Sequence, residues 1–149
     1  MTQEEKLLLK DLSARLPYGV KLLCNGWDSD GGCEFSTVET LISIDDRFIH
    51  TLWRNEKDKH SIKEPLSILD YKPFLRPMSS MTEEEKKEFD DFCVIDEFAW
   101  KGNSEIGYKN QAIIMSDAID WLNAHHFDYR GLISKELALE AKEGMYKIE

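Results

Sequence analysis

The chain has 149 residues, with 29 acidic and 19 basic side chains and a formal net charge of −10. Hydrophobic residues make up 42%, an ordinary globular share that excludes a disordered acidic tail. No stretch approaches the roughly 18 uncharged apolar residues of a membrane-spanning helix, and the opening MTQEEKLLLK is too charged to read as a signal peptide.

A single globular domain over 1–149 is expected, since a chain of this length buries ~68–70% of the surface exposed when unfolded. Thr2 and Glu5 form a capping box that opens a helix over 2–15. Leu8, Leu12 and Leu16 give it one apolar stripe. Pro17 ends it and biases Leu16 toward an extended conformation. Val20–Asn25 reads as a strand, Gly26–Gly32 as a turn, Phe35–Ile44 as a second strand and Arg47–Trp53 as a third. Together they make an antiparallel meander. Residues 54–64 are charged and loop-like. Pro65, Pro73 and Pro77 exclude an uninterrupted helix, and the expectation is an extended run over the surface.

Thr82 with Glu85 forms a second capping box, although Ser80 with Glu83 has the same spacing. A helix over 82–93 follows, with Phe89, Phe92 and Cys93 facing the core. Residues 101–110 read as a polar loop. Ala112–Met115 is ambiguous, and Ser116 is the expected N-cap of a helix carrying Ala118, Trp121, Leu122 and His125 on one face. The segment from Leu132 to Tyr146 has no clear pattern. The fold class is α+β: an antiparallel meander of about three to five strands with three helices packed mainly on one face.

The charge is local. Residues 82–97 hold eight acids and two lysines, a net of −6, while residues 25–39 add four acids. No cluster of Lys and Arg exists to bind phosphate backbones, so direct nucleic-acid binding is not expected. An acidic helix face is either solvated or a docking surface. As a docking surface it would use Glu83, Glu84, Glu88, Asp90 and Asp91, with Trp27 and Trp100 as aromatic anchors. Trp53 also sits beside charged residues.

Metal and catalytic motifs are weak. Asp28, Asp30 and Glu39 fall at positions 1, 3 and 12 of a calcium-loop spacing, but Cys33 stands where that loop needs Gly. His125 and His126 are adjacent and point about 100° apart on a helix. Asp117, Asp120 and Asp128 lie near enough to orient them. The ordinary arrangement puts His125 on the apolar face and His126 at the surface. Cys24, Cys33 and Cys93 are an odd set without export context, which favours free thiols over a Cys24–Cys33 bridge. No nucleophile elbow or phosphate loop occurs. No cofactor is expected.

Four stretches are distinctive as a set: Leu16–Gly19, Lys72–Glu85 (KPFLRPMSSMTEEE), Asp120–Ile133 (DWLNAHHFDYRGLI) and Leu137–Tyr146 (LALEAKEGMY). They resemble a family of uncharacterised proteins encoded by phages, prophages and mobile elements of gut anaerobes. Lys142 stands where that family's pattern has Pro. The resemblance implies a mobile-element origin and the cytoplasm of a bacterial host, and it brings no activity or catalytic residue. The expected function is a non-enzymatic accessory protein that binds a protein partner, a basic one being among the options, without membrane association. The alternatives are an acidic anti-defence protein imitating nucleic acid and a small metal-dependent hydrolase using His125 and His126.

Overall fold

The computed structural model describes residues 1–28, 33–45, 49–53, 59–61, 68–92 and 104–146. The chain is α+β. Its strands are β1 (Lys21–Asp28), β2 (Cys33–Ile44), β3 (Ile49–Trp53), β4 (Lys59–Ser61), β5 (Tyr71–Leu75) and β6 (Leu139–Glu140). The described α-helices are α1 (Gln3–Arg15), α2 (Glu83–Phe92) and α3 (Ser104–Ala124). The sheet order is β4-β3-β2-β1-β5-β6. The first five strands pair antiparallel, as the expected meander requires, and two-residue β6 adds a parallel edge to β5.

Both capping boxes form. Thr2 Oγ1 accepts from the Glu5 amide at 3.1 Å, and the Glu5 carboxylate accepts from the Thr2 amide. Thr82 and Glu85 repeat this exchange at α2, which settles the choice of cap. Pro17 does not force Leu16 into an extended form. Leu16 stays right-handed helical (φ −50°, ψ −46°), and Leu16–Tyr18 continue α1 as one 3-10 turn with Pro17 at its first turn, where its missing N–H costs nothing. Gly19, at φ 65°, then reverses the chain into β1.

The stretch around Pro73 differs more from expectation. It is not a surface arm but strand β5, lying between β1 and β6, with Tyr71, Phe74 and Leu75 buried. Pro73 opposes Leu22, and pairing with β6 begins at Phe74, just past the missing N–H. That register puts Lys21 opposite Phe74. Instead of a direct ladder bond, the Tyr146 hydroxyl is inserted between them. It accepts from the Lys21 amide at 2.9 Å and donates to the Phe74 carbonyl at 2.7 Å. A side chain near the C-terminus thus ends the β1–β5 ladder while satisfying both backbone groups.

Other boundaries also move. Lys59–Ser61, expected as loop, pairs with β3. The expected loop over 104–110 and the ambiguous AIIM are parts of one helix, α3, which runs through Gly107 and past Ser116. Gly107 costs such a helix only about 1 kcal/mol, less than packing its C-terminal half supplies. The Cys24–Cys33 bridge is excluded by register. Cys33 opposes Asp28 and Cys24 opposes Thr37, which separates the two along the ladder by about 13 Å. Cys24 is a free, buried thiol, raised by burial and by the nearby Glu39 carboxylate. Cys93 lies outside the described residues.

Two apolar clusters form. Leu8 and Leu12 of α1 join Leu22, Cys24, Leu41, Tyr71, Leu75 and Leu132 in the larger one. Trp121, Leu122 and Phe127 form the smaller, with Phe89 of α2 against it. Phe89 and Trp121 have ring centroids 5.4 Å apart, and Trp121 Nε1 donates to Glu88 at 3.0 Å.

Between the clusters lies a buried ionic group. Arg15 and Asp11 have no exposed side-chain surface and pair across one helical turn, with Arg15 Nε 2.8 Å from Asp11 Oδ2. Arg15 Nη2 also donates to the Phe127 carbonyl at 2.7 Å. Removing one partner from such a pair strands a buried charge and typically costs about 3–5 kcal/mol. Urea denaturation of Asp11→Asn is expected to show a loss in that range. The triple variant Asp11→Leu, Arg15→Met, Arg130→Met is expected to recover most of it, because it also removes the second guanidinium that faces Asp11 and strands no charge.

A candidate ligand cavity behind the second histidine

The cavity begins with the way α3 ends. The Phe127 amide donates to the Leu122 carbonyl at 3.0 Å and the His126 amide to the Asn123 carbonyl at 3.1 Å. This pair of bonds is a Schellman motif, whose closing residue must be left-handed and is most often Gly. Here that residue is His126, at φ 61°. A non-glycine residue there costs on the order of 1–2 kcal/mol. Such strain persists only where the surroundings over-determine it, and it concentrates at functional sites.

The surroundings do over-determine it. The Arg76 amide donates to the His126 carbonyl at 2.7 Å, and the Asp128 amide donates to the Arg76 carbonyl at 2.8 Å. The turn is thereby clamped to the end of β5 as a parallel bridge between Arg76 and Phe127. Asp128, buried, accepts from the Leu132 and Ile133 amides at 2.8 and 2.9 Å and fixes the chain that follows. The His126 ring stacks on Tyr146 at a centroid distance of 3.6 Å.

The result is a cavity of about 530 Å³. Tyr18, Gly19 and Lys21 line it from the α1–β1 corner, Arg76 from just past β5, and Ala124, His125 and His126 from the end of α3. Gly144, Met145 and Tyr146 close it. The Met145 amide donates to the Lys142 carbonyl, and Gly144 at φ 75° sits third in this turn, where a type II turn needs positive φ. Glycine at that position supplies the conformation the turn needs. Apart from Lys21, every lining residue falls within the four distinctive sequence stretches, so segments far apart in the chain meet here.

The lining is basic. It contains Lys21, Arg76 and two histidines and no carboxylate. Arg76 is held by a bidentate pair with Glu85, at 2.8 and 2.7 Å, and its guanidinium lies 4.2 Å from the Phe127 ring centroid. The pair holds the Glu85 carboxyl down to about 2. Among the described residues Lys21 has no ion-pair partner. Behind the wall, Arg15 and Arg130 both face the single Asp11 carboxylate, with Arg130 Nε at 3.2 Å.

This concentration of positive charge, after burial itself, lowers His126 to about 3, with Arg15, His125, Arg76 and Lys21 as the charged contributors. The ring is neutral at pH 7. Its Nδ1 is buried and has no hydrogen-bond partner among the described residues, and the whole residue is only 6% exposed. His125 differs. Its Nδ1 is 2.9 Å from the Trp121 carbonyl oxygen, which only accepts, so that nitrogen carries the proton. The ring stacks on Trp121 at 4.0 Å. Burial and the Asp120 charge raise the Tyr18 phenol.

His126, expected at the surface, is buried, because the helix ends at Ala124 and the turn that follows carries its ring inward, while half-buried His125 packs on the apolar side against Trp121. Nor do the nearby aspartates orient them. Asp128 caps the next turn, and Asp117 and Asp120 are exposed. Among the described residues no three His, Cys, Asp or Glu side chains converge to hold a metal ion.

The calcium spacing does not survive the fold either. Asp28 closes the β1–β2 hairpin opposite Cys33, while Glu39 opposes Leu22. Those rungs are about 20 Å apart along the ladder. Glu39 is buried and accepts from Thr37 and Thr51 hydroxyls at 2.7 Å. Asp30 lies outside the described residues.

Glu83, Glu84, Glu88, Asp90 and Asp91 are all exposed on α2, with Glu83 paired to Lys86 at 2.8 Å. Glu84, Glu88 and Asp91 share one stripe by their spacing. The backbone of Trp27 opposes Glu34 in the hairpin, and Trp100 lies outside the described residues. Sequence reasoning missed Lys21, Arg76 and Tyr146. One signal was present for Tyr146: the GMY run that ends a distinctive stretch.

The lowered His126 sets a pH dependence. Between pH 6.5 and about 3 the unfolded chain binds a proton there that the folded chain refuses, so stability is full above pH 6.5 and falls as pH drops. Glu85 acts separately, its contribution being lost only from about 4.5 down to about 2. Urea denaturation is expected to show His126 costing wild type about 2 kcal/mol between pH 7 and pH 5. In His126→Asn, which tolerates positive φ, that loss is expected to disappear. An equal slope in both proteins would refute the assignment. Compared with protein-family models, curated proteins and solved structures, the chain matches none.

Proposed function

We propose that the protein is a non-enzymatic binding protein that holds an anionic small ligand in this cavity. The observation that carries the reading is a basic, acid-free lining on a chain of net charge −10, which includes His126, whose buried Nδ1 has no hydrogen-bond partner among the described residues. A buried polar atom without a partner costs about 1–3 kcal/mol, and a ligand that fills it recovers that cost. The volume falls within the roughly 300–1,000 Å³ of ordinary small-molecule sites. The convergence of the distinctive stretches on the cavity supports the same reading, and the accompanying resemblance supports a phage or mobile-element origin. None of the described helices is long and apolar enough to cross a membrane.

A thermal-shift titration at constant ionic strength tests this. Phosphate, sulfate and citrate are expected to raise Tm by several degrees relative to chloride, and Lys21→Gln is expected to lose the shift. An unchanged Tm across all three anions would remove the reading. A second reading, a basic protein partner on α2, is favoured by the exposed stripe of Glu84, Glu88 and Asp91. Under it, reversing those three charges is expected to abolish capture of a partner while leaving the anion-dependent shift in place.

A further inference from the structure

The balance of charges around the cavity narrows the ligand. Arg76 is matched by Glu85 in a bidentate pair, so those two cancel. Arg15 and Arg130 share one carboxylate, Asp11, which leaves one positive charge unmatched. Arg15 Nη1 is buried without a hydrogen-bond partner among the described residues, and Arg130 Nε reaches Asp11 at 3.2 Å without making a hydrogen bond. Lys21 adds a second unmatched charge at the cavity wall. Lys21 in the lining and the Arg15–Arg130 surplus behind it favour a multiply charged anion over a monocarboxylate, and the Asp120 charge acting on Tyr18 places that anion at the Lys21 wall and not beside Tyr18.

Tyr146 stands between two of the groups involved. Its hydroxyl accepts from the Lys21 amide and its ring stacks on His126. Lys21 and His126 therefore flank one side chain at one end of the cavity. The remaining wall is aromatic and small, with Tyr18, Gly19 and Gly144. Its space is far more than inorganic phosphate needs. Tyrosine faces accept a flat ring regardless of its identity, since every such ring has a π-face.

We propose that the cavity binds a phosphate monoester whose organic part carries a planar ring, a nucleoside monophosphate being the simplest example. The phosphate sits between the Lys21 ammonium and His126 Nδ1, and the ring lies against Tyr18. A phosphate monoester is close to dianionic at pH 7, with a second pKa near ~6, and offers three strong acceptor oxygens. The neutral His126 meets it as an N–H donor and needs no counterion of its own when the cavity is empty.

This inference rests on the anion-binding reading, and one ligand panel separates them. Calorimetric titration of the full chain at pH 7.5 would use AMP, inorganic phosphate, adenosine and succinate. AMP is expected to bind at least tenfold more tightly than phosphate, with adenosine and succinate weaker still. Lys21→Gln is expected to weaken AMP at least tenfold, and Tyr18→Ala to weaken AMP while leaving phosphate unchanged. Phosphate binding as tightly as AMP would overturn the ring. Succinate binding without AMP would overturn the phosphate ester and leave the anion reading standing. Absence of binding by AMP, phosphate and succinate, together with an unchanged Tm in all anions, would overturn both.

Discussion

The buried pair between Asp11 and Arg15 is the interaction on which the rest of this structure depends. Neither side chain has any exposed surface. A charge in that position must be paired and hydrogen-bonded or the fold loses several kcal/mol. Asp11 alone does not satisfy Arg15, whose Nη2 reaches the Phe127 carbonyl on the far side of the chain. One helix near the N-terminus is thus tied to the turn that follows α3. Arg130 joins the same carboxylate, and its guanidinium lies 4.9 Å from the Tyr129 ring centroid, with Arg15 at 5.4 Å. Such cation–π contacts strengthen when shielded from water.

What this tie holds in place is a backbone conformation. His126 closes a Schellman motif in the left-handed region, where glycine is the usual occupant. The Arg15 bond to Phe127, the Arg76 bridge and the Asp128 cap surround it. Together they turn an imidazole that would otherwise point to solvent into the protein. The positive groups that secure the turn also keep that imidazole neutral. Burial of the ring comes first in keeping it neutral, and the positive groups that secure the turn add to it.

Some of this was legible in the sequence. The capping boxes at Thr2 and Thr82, the meander and the α+β class follow from local patterns of polar spacing, alternation and turn residues. What was not legible depends on partners distant in the chain. Pro73 reads as a surface residue because proline usually avoids central strands, and only the insertion of the Tyr146 hydroxyl at the next rung shows how β5 is accommodated. Asp28 and Glu39 share a ligand spacing in sequence but lie on distant rungs of a hairpin. His126 looked like a surface residue because helical periodicity was extended past the end of α3 at Ala124. Hydrophobic periodicity reports the faces of an element, not the place where it stops.

The net charge of −10 pointed outward, to the acids of α2, and there it agrees with the structure: Glu83, Glu84, Glu88, Asp90 and Asp91 are exposed. Yet a sum over the chain conceals how sign varies with depth. Exposed carboxylates are screened within about 8–10 Å at physiological salt, while buried charges are screened much less. The acids on α2 therefore contribute little field inside the molecule. At His126 burial acts first, followed by the nearby positive groups Arg15, His125, Arg76 and Lys21. Exposed acids and inner basic groups thus set fields of opposite sign in one chain. Only the short-range field bears on what the cavity can hold.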